Sequence, residues 1–231
     1  MEGAEVRMEI CFVTEGSLNE YWDRAKKQPC DVLFFGFNGL GDVDYARELA
    51  GETSKLEDLA ILSRELSCVV VSGCVTRSCG LKYKSAAIAE GGKILGVSDR
   101  LHAFEEDGFA CGAHLKVYET SAGKLGLCVA EDLYFPQVVS ALAAFDADAV
   151  LCPFGEAEDF APQLMMRACA FSAGVGVCVC AAGIAQAAAP TGEVCMRAAR
   201  RECRHSFDAA REYRIASVRL RGMARRRRAD F

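Results

Sequence analysis

Two carboxylates, Glu131 and Asp132, follow the apolar run at 125–129, and a cation, Arg100, lies upstream. These residue types suffice for hydrolytic chemistry. A carboxylate can take a proton from water or from a thiol, and a fixed cation can hold the oxyanion that forms. The nearest thiol is Cys128, two residues before Ala130. In a regular strand it would share the face of Ala130, about 6–7 Å back. Its place within an apolar run suits core packing better than attack.

The segment from Gly123 to Gln137 reads Gly-Lys-Leu-Gly-Leu-Cys-Val-Ala-Glu-Asp-Leu-Tyr-Phe-Pro-Gln. It resembles the nucleophile strand and elbow of the nitrilase superfamily, the carbon–nitrogen hydrolases. There the segment runs Gly-Lys-Ile-Gly, apolar residues, Cys, an aromatic residue, Asp and Phe-Pro-Glu. Other pieces follow in the family's order. Val70-Val71-Ser72-Gly73 resembles the strand before the first hairpin. Tyr83-Lys84-Ser85-Ala86 is similar to its Tyr-Asn-Ser-Ala strand. Gly92-Lys93-Ile94, Val117-Tyr118-Glu119 and Pro190-Thr191-Gly192-Glu193-Val194 continue the likeness over roughly 8–220.

The resemblance implies a Cys nucleophile, a Glu base, an oxyanion-holding Lys and often a second Glu. At the nucleophile position stands Ala130, which has no nucleophilic atom. Ser98-Asp99-Arg100-Leu101-His102-Ala103-Phe104 matches a Tyr-Arg-Lys-x-His-Leu-Phe segment, so Arg100 takes the lysine place. Its planar fork is no simple replacement for an ammonium, and a structural ion pair with Asp99, Glu105 or Glu106 is its alternative. Phe37 takes the place of the glutamate base, and a slip of one residue would offer only Asn38. Glu105 and Glu106 are candidates for the second Glu, with a solvated loop as the alternative. Asp132 keeps the family's acidic residue in a structural role, and Glu131 is new. Arg167 opens a segment like Arg-Ala-x-x-x-Glu-Asn, whose last two residues are here Ser172 and Ala173.

The 231 residues carry a net charge of −5, which disfavours nucleic acid as a partner. Arg225, Arg226, Arg227 and Arg228 make the tail basic; a solvated or salt-bridged terminus explains it as readily as an anionic partner. No apolar run is long enough for a membrane span, and no signal peptide opens the chain, so a soluble cytoplasmic protein is expected. The 13 cysteines include no Cys-x-x-Cys pair. They read as reduced core residues, not as zinc ligands or disulfides, and no metal or other cofactor is expected.

Hydrophobic periodicity predicts strands at 8–14, 31–37 and 68–75, and helices at 19–27 and 56–66, the latter capped by Thr53 or Ser54. Hairpins follow over 82–96 and 114–129. Then come a helix at 136–145, a strand at 149–153, a helix at 160–173 and a strand at 175–181. Two last strands flank the turn at Pro190-Thr191-Gly192 and end near 216–220.

The expected fold is α/β: one nitrilase-like domain over 1–231, a four-layer α-β-β-α sandwich with a basic tail from about 219. The resemblance implies a dimer through helical faces at 135–145 and 163–173. The expected function is that of a carbon–nitrogen hydrolase relative that has lost hydrolysis. It would bind a small anion, carboxylate or amide through Arg100, Glu131 and Phe37, or serve as a scaffold. The alternative is a rewired amidase in which Glu131 activates water and Arg100 holds the oxyanion.

Overall fold

The computed structural model describes residues 7–22, 29–104, 107–156 and 160–209. Two sheets stack face to face, and each is covered on its outer face by helices. The first contains β1 (Arg7–Val13), β2 (Val32–Phe35), β3 (Gly41–Asp44), β4 (Val69–Ser78), β5 (Leu81–Glu90), β6 (Lys93–Asp99) and, at the far edge, β13 (Glu202–Asp208). Their order is β13-β1-β2-β4-β5-β6, with β3 also paired to β4. The second runs β12 (Val194–Ala198), β11 (Ile184–Ala188), β10 (Gly176–Ala181), β9 (Ala149–Pro153), β8 (Gly123–Leu127) and β7 (Val117–Thr120). The central strands β1, β2 and β4, and likewise β8, β9 and β10, are parallel. Parallel strands covered on both faces are apolar throughout, which is why 31–37 and 149–153 read as continuous apolar runs.

Alternation along each strand divides the core into three layers. Ile10, Phe12, Phe34, Val71 and Ile88 meet Leu125, Leu127, Leu151 and Cys178 between the sheets. Cys11, Leu33, Phe35 and Val70 face α1 (Leu18–Trp22) and α3 (Lys55–Leu66). Val150, Cys152, Val177 and Val179 face α4 (Pro136–Ala144) and α5 (Phe160–Ala173). Burying each large apolar side chain stabilises the fold by about 1.5–3 kcal/mol. The inter-sheet contact is close at Gly176, where an added Cβ would lie 2.0 Å from the Phe207 ring.

The helix starts follow their sequence signals. Pro136 opens α4, where its missing N–H has no helical partner to lose. Ser54 is the N-cap of α3, but its hydroxyl donates to the Asp58 carboxylate instead of accepting a backbone N–H. Three elements were not anticipated: β3, which starts at the last glycine of the Gly-rich loop, the short helix α2 (Tyr45–Leu49) that follows it, and β13. The strand expected near 216–220, the end of the helix expected at 19–27 and the arginine tail lie outside the described residues.

Candidate functional site

The elbow follows β8. Residues Ala130–Tyr134 form a 3-10 turn leading directly into α4. Ala130 sits at φ +51, a left-handed backbone that costs a non-glycine residue about 1–2 kcal/mol. Its surroundings hold it there. Asp132 N–H donates to Val129 O, Cys152 Sγ donates to Ala130 O, and Cys169 Sγ donates to Leu133 O. Regular alternation would send Ala130 to the helix side together with Cys128. Instead Ala130 joins the inter-sheet core, while Cys128 packs under α4 and α5. The shared face expected for these two residues is therefore corrected, because the strand ends at Leu127 and the backbone turns over at the elbow. A hydrogen bond from the Cys128 thiol to Cys152, together with burial, drives the Cys128 thiol well above its ordinary pKa. It is a core thiol, not a nucleophile.

Arg100 follows β6, and its N–H extends the ladder by donating to Lys84 O at 2.8 Å. The returning loop closes over it: Gly112 N–H donates to Arg100 O at 2.7 Å. A Cβ at Gly112 would meet Asp99 at 2.8 Å, so the close approach requires glycine. The Arg100 side chain is 0% exposed. Its Nη1 donates to Glu131 Oε2 at 2.6 Å and its Nη2 to Asp107 Oδ2 at 2.5 Å. Lys84 Nζ reaches Glu131 Oε1 at 2.5 Å. Lys84, Glu131, Arg100 and Asp107 thus alternate in sign and cancel in charge. Phe104 and Phe109 flank the guanidinium at 5.4 and 5.7 Å, distances at which ring faces attract cations. Arg100 Nε is buried without a hydrogen-bond partner.

The titrations follow this geometry. Burial pushes the Glu131 carboxyl up, but the bonds from Lys84 and Arg100 outweigh it and hold the group below its ordinary range. Asp107 is likewise raised by desolvation, then lowered further by Arg100 and by the Phe109 N–H. Burial lowers Arg100, and its two carboxylate partners more than reverse that.

Asp132 takes the structural role expected of it. It is 1% exposed and accepts from Leu101 N–H, His102 N–H and the His102 ring at 2.8, 3.0 and 2.8 Å. His102 stacks on Phe135 with centroids 3.7 Å apart. Arg167 donates to Gly192 O, tying α5 to the turn before β12. Phe37 packs against the inter-sheet core. An added Cβ at Gly73 would lie 3.0 Å from its ring and 2.9 Å from Pro153. Asn38 is exposed.

Arg100 and Glu131 are therefore in direct contact at the elbow, and Phe37 packs over Gly73. The structural ion pair expected of Arg100 is made with Asp107 and Glu131 and not with Asp99. Asp99 accepts from Ser85 Oγ instead, and Glu105 and Glu106 lie outside the described residues. Asp107 and Lys84 were missed. Their signals were present: Asp107 continues the Glu105-Glu106 acidic run, and Lys84 stands at a position of the quoted strand motif. Among the described residues no group of three or more His, Cys, Asp or Glu could hold a metal ion.

The carbon–nitrogen hydrolase family profile matches residues 15–206. The chain belongs to that family. Solved structures agree on the fold of this carbon–nitrogen hydrolase relative. A Cys-to-Ala mutant of the Nesterenkonia AN1 amidase, from the nitrilase superfamily, is 20% identical, with a TM-score of 0.74 over 95% of this chain and 96% of that one. A carbon–nitrogen hydrolase from Helicobacter pylori G27 is 20% identical, with 0.75 over 98% and 97%. Nit3 of Saccharomyces cerevisiae, in branch 10 of the superfamily, is 17% identical, with 0.71 over 93% of each. No curated protein matches the sequence. The two-sheet, helix-covered architecture is the four-layer sandwich expected, and no helix among the described residues is long and apolar enough to cross a membrane.

Proposed function

We propose that this carbon–nitrogen hydrolase relative no longer hydrolyses C–N bonds and serves as a pseudoenzyme scaffold in the cytoplasm. The observation that carries this reading is Ala130 at φ +51 on the elbow, beside a charge-cancelled cluster. The strained turn persists, but no nucleophilic atom stands on it. Phe37 supplies no base. Of the two non-catalytic roles, the geometry favours the scaffold over the anion site. Arg100 is enclosed and both its terminal nitrogens are satisfied, so an incoming carboxylate must displace one already there.

The rewired amidase is disfavoured by the same bonds. A general base works best with a pKa near the operating pH, whereas Glu131 bridges two cations and is held ionised. As for partners, the surface supports self-association through the outer helices. Phe145, Phe160, Leu164 and Phe171 are 60, 68, 48 and 53% exposed on or beside α4 and α5. All 13 cysteines are free thiols, which suits a reducing compartment.

The deciding experiment is ammonia release from a broad panel of amides, nitriles and carbamoyl compounds under reducing conditions. The expected result is none above an Arg100→Ala control. Release that depends on Glu131 would overturn the proposal in favour of the rewired amidase.

A further inference from the structure

The guanidinium of Arg100 is bonded at both tips and idle along one edge. Glu131 takes Nη1 with one oxygen, and Lys84 holds its second oxygen. Asp107 takes Nη2 with Oδ2, while its Oδ1 accepts from the Phe109 N–H at 3.0 Å. Nε has no hydrogen-bond partner although it is buried. The N–H groups of Nε and Nη2 run parallel along one edge of the guanidinium, the fork that a carboxylate grips with both oxygens. Asp107 fills half of that fork because its second oxygen is committed to its own loop. A buried donor left unsatisfied is costly. A carboxylate free of the loop therefore gains a bond that Asp107 does not make.

We infer that Arg100 anchors a site for a small monocarboxylate, that Asp107 is its built-in occupant, and that the loop at 107–112 is a strap which such a ligand displaces. This takes the elbow as non-hydrolytic, as proposed above, and adds a ligand class and a moving part. Of the two carboxylates on Arg100, Asp107 is the one that can leave. Glu131 bridges two cations that lie 47 and 31 residues away in sequence. The Asp107 carboxylate has one ion pair and one bond to backbone, 7 and 2 residues away. Beside it Gly108 has φ +69, and an added Cβ there would meet nothing within 4 Å, so the backbone next to Asp107 has room to turn. Further on, Ala110 N–H donates to Lys82 O and Gly112 N–H to Arg100 O, at 2.8 and 2.7 Å. The ligand carries one negative charge because it replaces one, which keeps the cluster neutral with Lys84 and Glu131 in place. Phe104, before the strap, packs on Phe135 with centroids 6.2 Å apart and lies 5.4 Å from the guanidinium. It is 41% exposed and offers a ring face to an apolar ligand body.

The test titrates acetate and benzoate into the full chain at constant ionic strength, following the urea midpoint and hydrogen exchange at the Phe109 amide. Asp107→Ala leaves the Arg100 edge open. Both carboxylates should raise its midpoint saturably, and uncharged acetamide should not. In the wild type the strap must leave first, so apparent affinity falls by the open fraction, and half-saturation should need at least about tenfold more ligand. The wild-type Phe109 N–H then loses its acceptor, and its exchange should speed up as ligand binds. Asp107→Asn keeps the shape and serves if the alanine variant does not fold. No saturable stabilisation of the Asp107 variants by either carboxylate would overturn the inference. Equal half-saturation in variant and wild type would do the same, because Asp107 would then not be the occupant. Ammonia release is read separately. It would sink the non-hydrolytic reading, whereas failure to bind carboxylate sinks the strap alone.

Discussion

Arg100 Nη1 and Glu131 Oε2 meet at 2.6 Å across 31 residues of sequence, joining the end of β6 to the elbow after β8. The contact links the two sheets. It also places a carboxylate beside Ala130, where the family resemblance implies a nucleophile. The cation that would hold an oxyanion is thus given a permanent anion. Asp107 takes the other nitrogen and Lys84 the other Glu131 oxygen.

The links of this cluster differ in worth. Removing one partner of a buried pair is costly, whereas half-exposed pairs contribute little. Glu131→Gln keeps the shape but loses the charge opposite a guanidinium at 0% exposure. We expect a loss of about 1–3 kcal/mol, read as a lower urea midpoint at unchanged slope. Lys84→Met, at a pair 22 and 25% exposed, should shift stability by less than about 1 kcal/mol. Equal losses would show that Arg100 is not the anchor.

Acid should dissolve the cluster. Glu131 and Asp107 titrate below their ordinary values in the folded chain. Their stabilisation is therefore present above the unfolded carboxylate range, about 4, and is lost as pH falls through the lower folded values. The urea midpoint should decline below about pH 4, and less steeply in Glu131→Gln. Identical pH slopes in the two proteins would exclude Glu131 as a contributor.

Much of this was legible beforehand, for identifiable reasons. Strands at 149–153 and 175–181 showed as apolar runs, and Pro136 marked a helix start. In β13 only Phe207 is fully buried, so its pairing with β1 left no apolar signature. β3 carries a single buried residue, Val43, in a glycine-rich stretch. Asp107 was hidden because an acidic run does not say which member turns inward. Cys128 misled because period-two reasoning assumes a strand, and the backbone leaves that geometry at Ala130.

The strain at Ala130 gives a direct backbone prediction. Glycine tolerates positive φ but loses about 0.5–1 kcal/mol in chain entropy, which nearly offsets the relief. Ala130→Gly should change stability by less than about 1 kcal/mol. Ala130→Val adds a β-branched side chain at φ +51 in a site 1% exposed and should cost about 2 kcal/mol or more. Equal midpoints for the two variants would mean that the elbow relaxes in solution.

Self-association is testable without disturbing the core. Phe160 and Phe171 on α5 are exposed, and charge there should abolish an apolar interface while leaving the monomer folded. Light scattering should give a dimer mass for the wild type and a monomer mass for Phe160→Glu with Phe171→Glu, at unchanged far-ultraviolet circular dichroism. A monomeric wild type would remove the helical faces from the proposal.

Restoring the thiol alone should not restore turnover. A cysteine at position 130 would sit on the elbow, but its attack requires a base to take the thiol proton. Phe37 provides none, and Glu131 is bound on both oxygens. The oxyanion would also face Arg100 already neutralised by two carboxylates. Ala130→Cys should therefore release no more ammonia from the amide and nitrile panel than the wild type. Ala130→Cys combined with Phe37→Glu and Arg100→Lys is the informative contrast, because it rebuilds nucleophile, base and ammonium together. Turnover in the single variant would show that the cluster opens readily and that Ala130 alone silences the site.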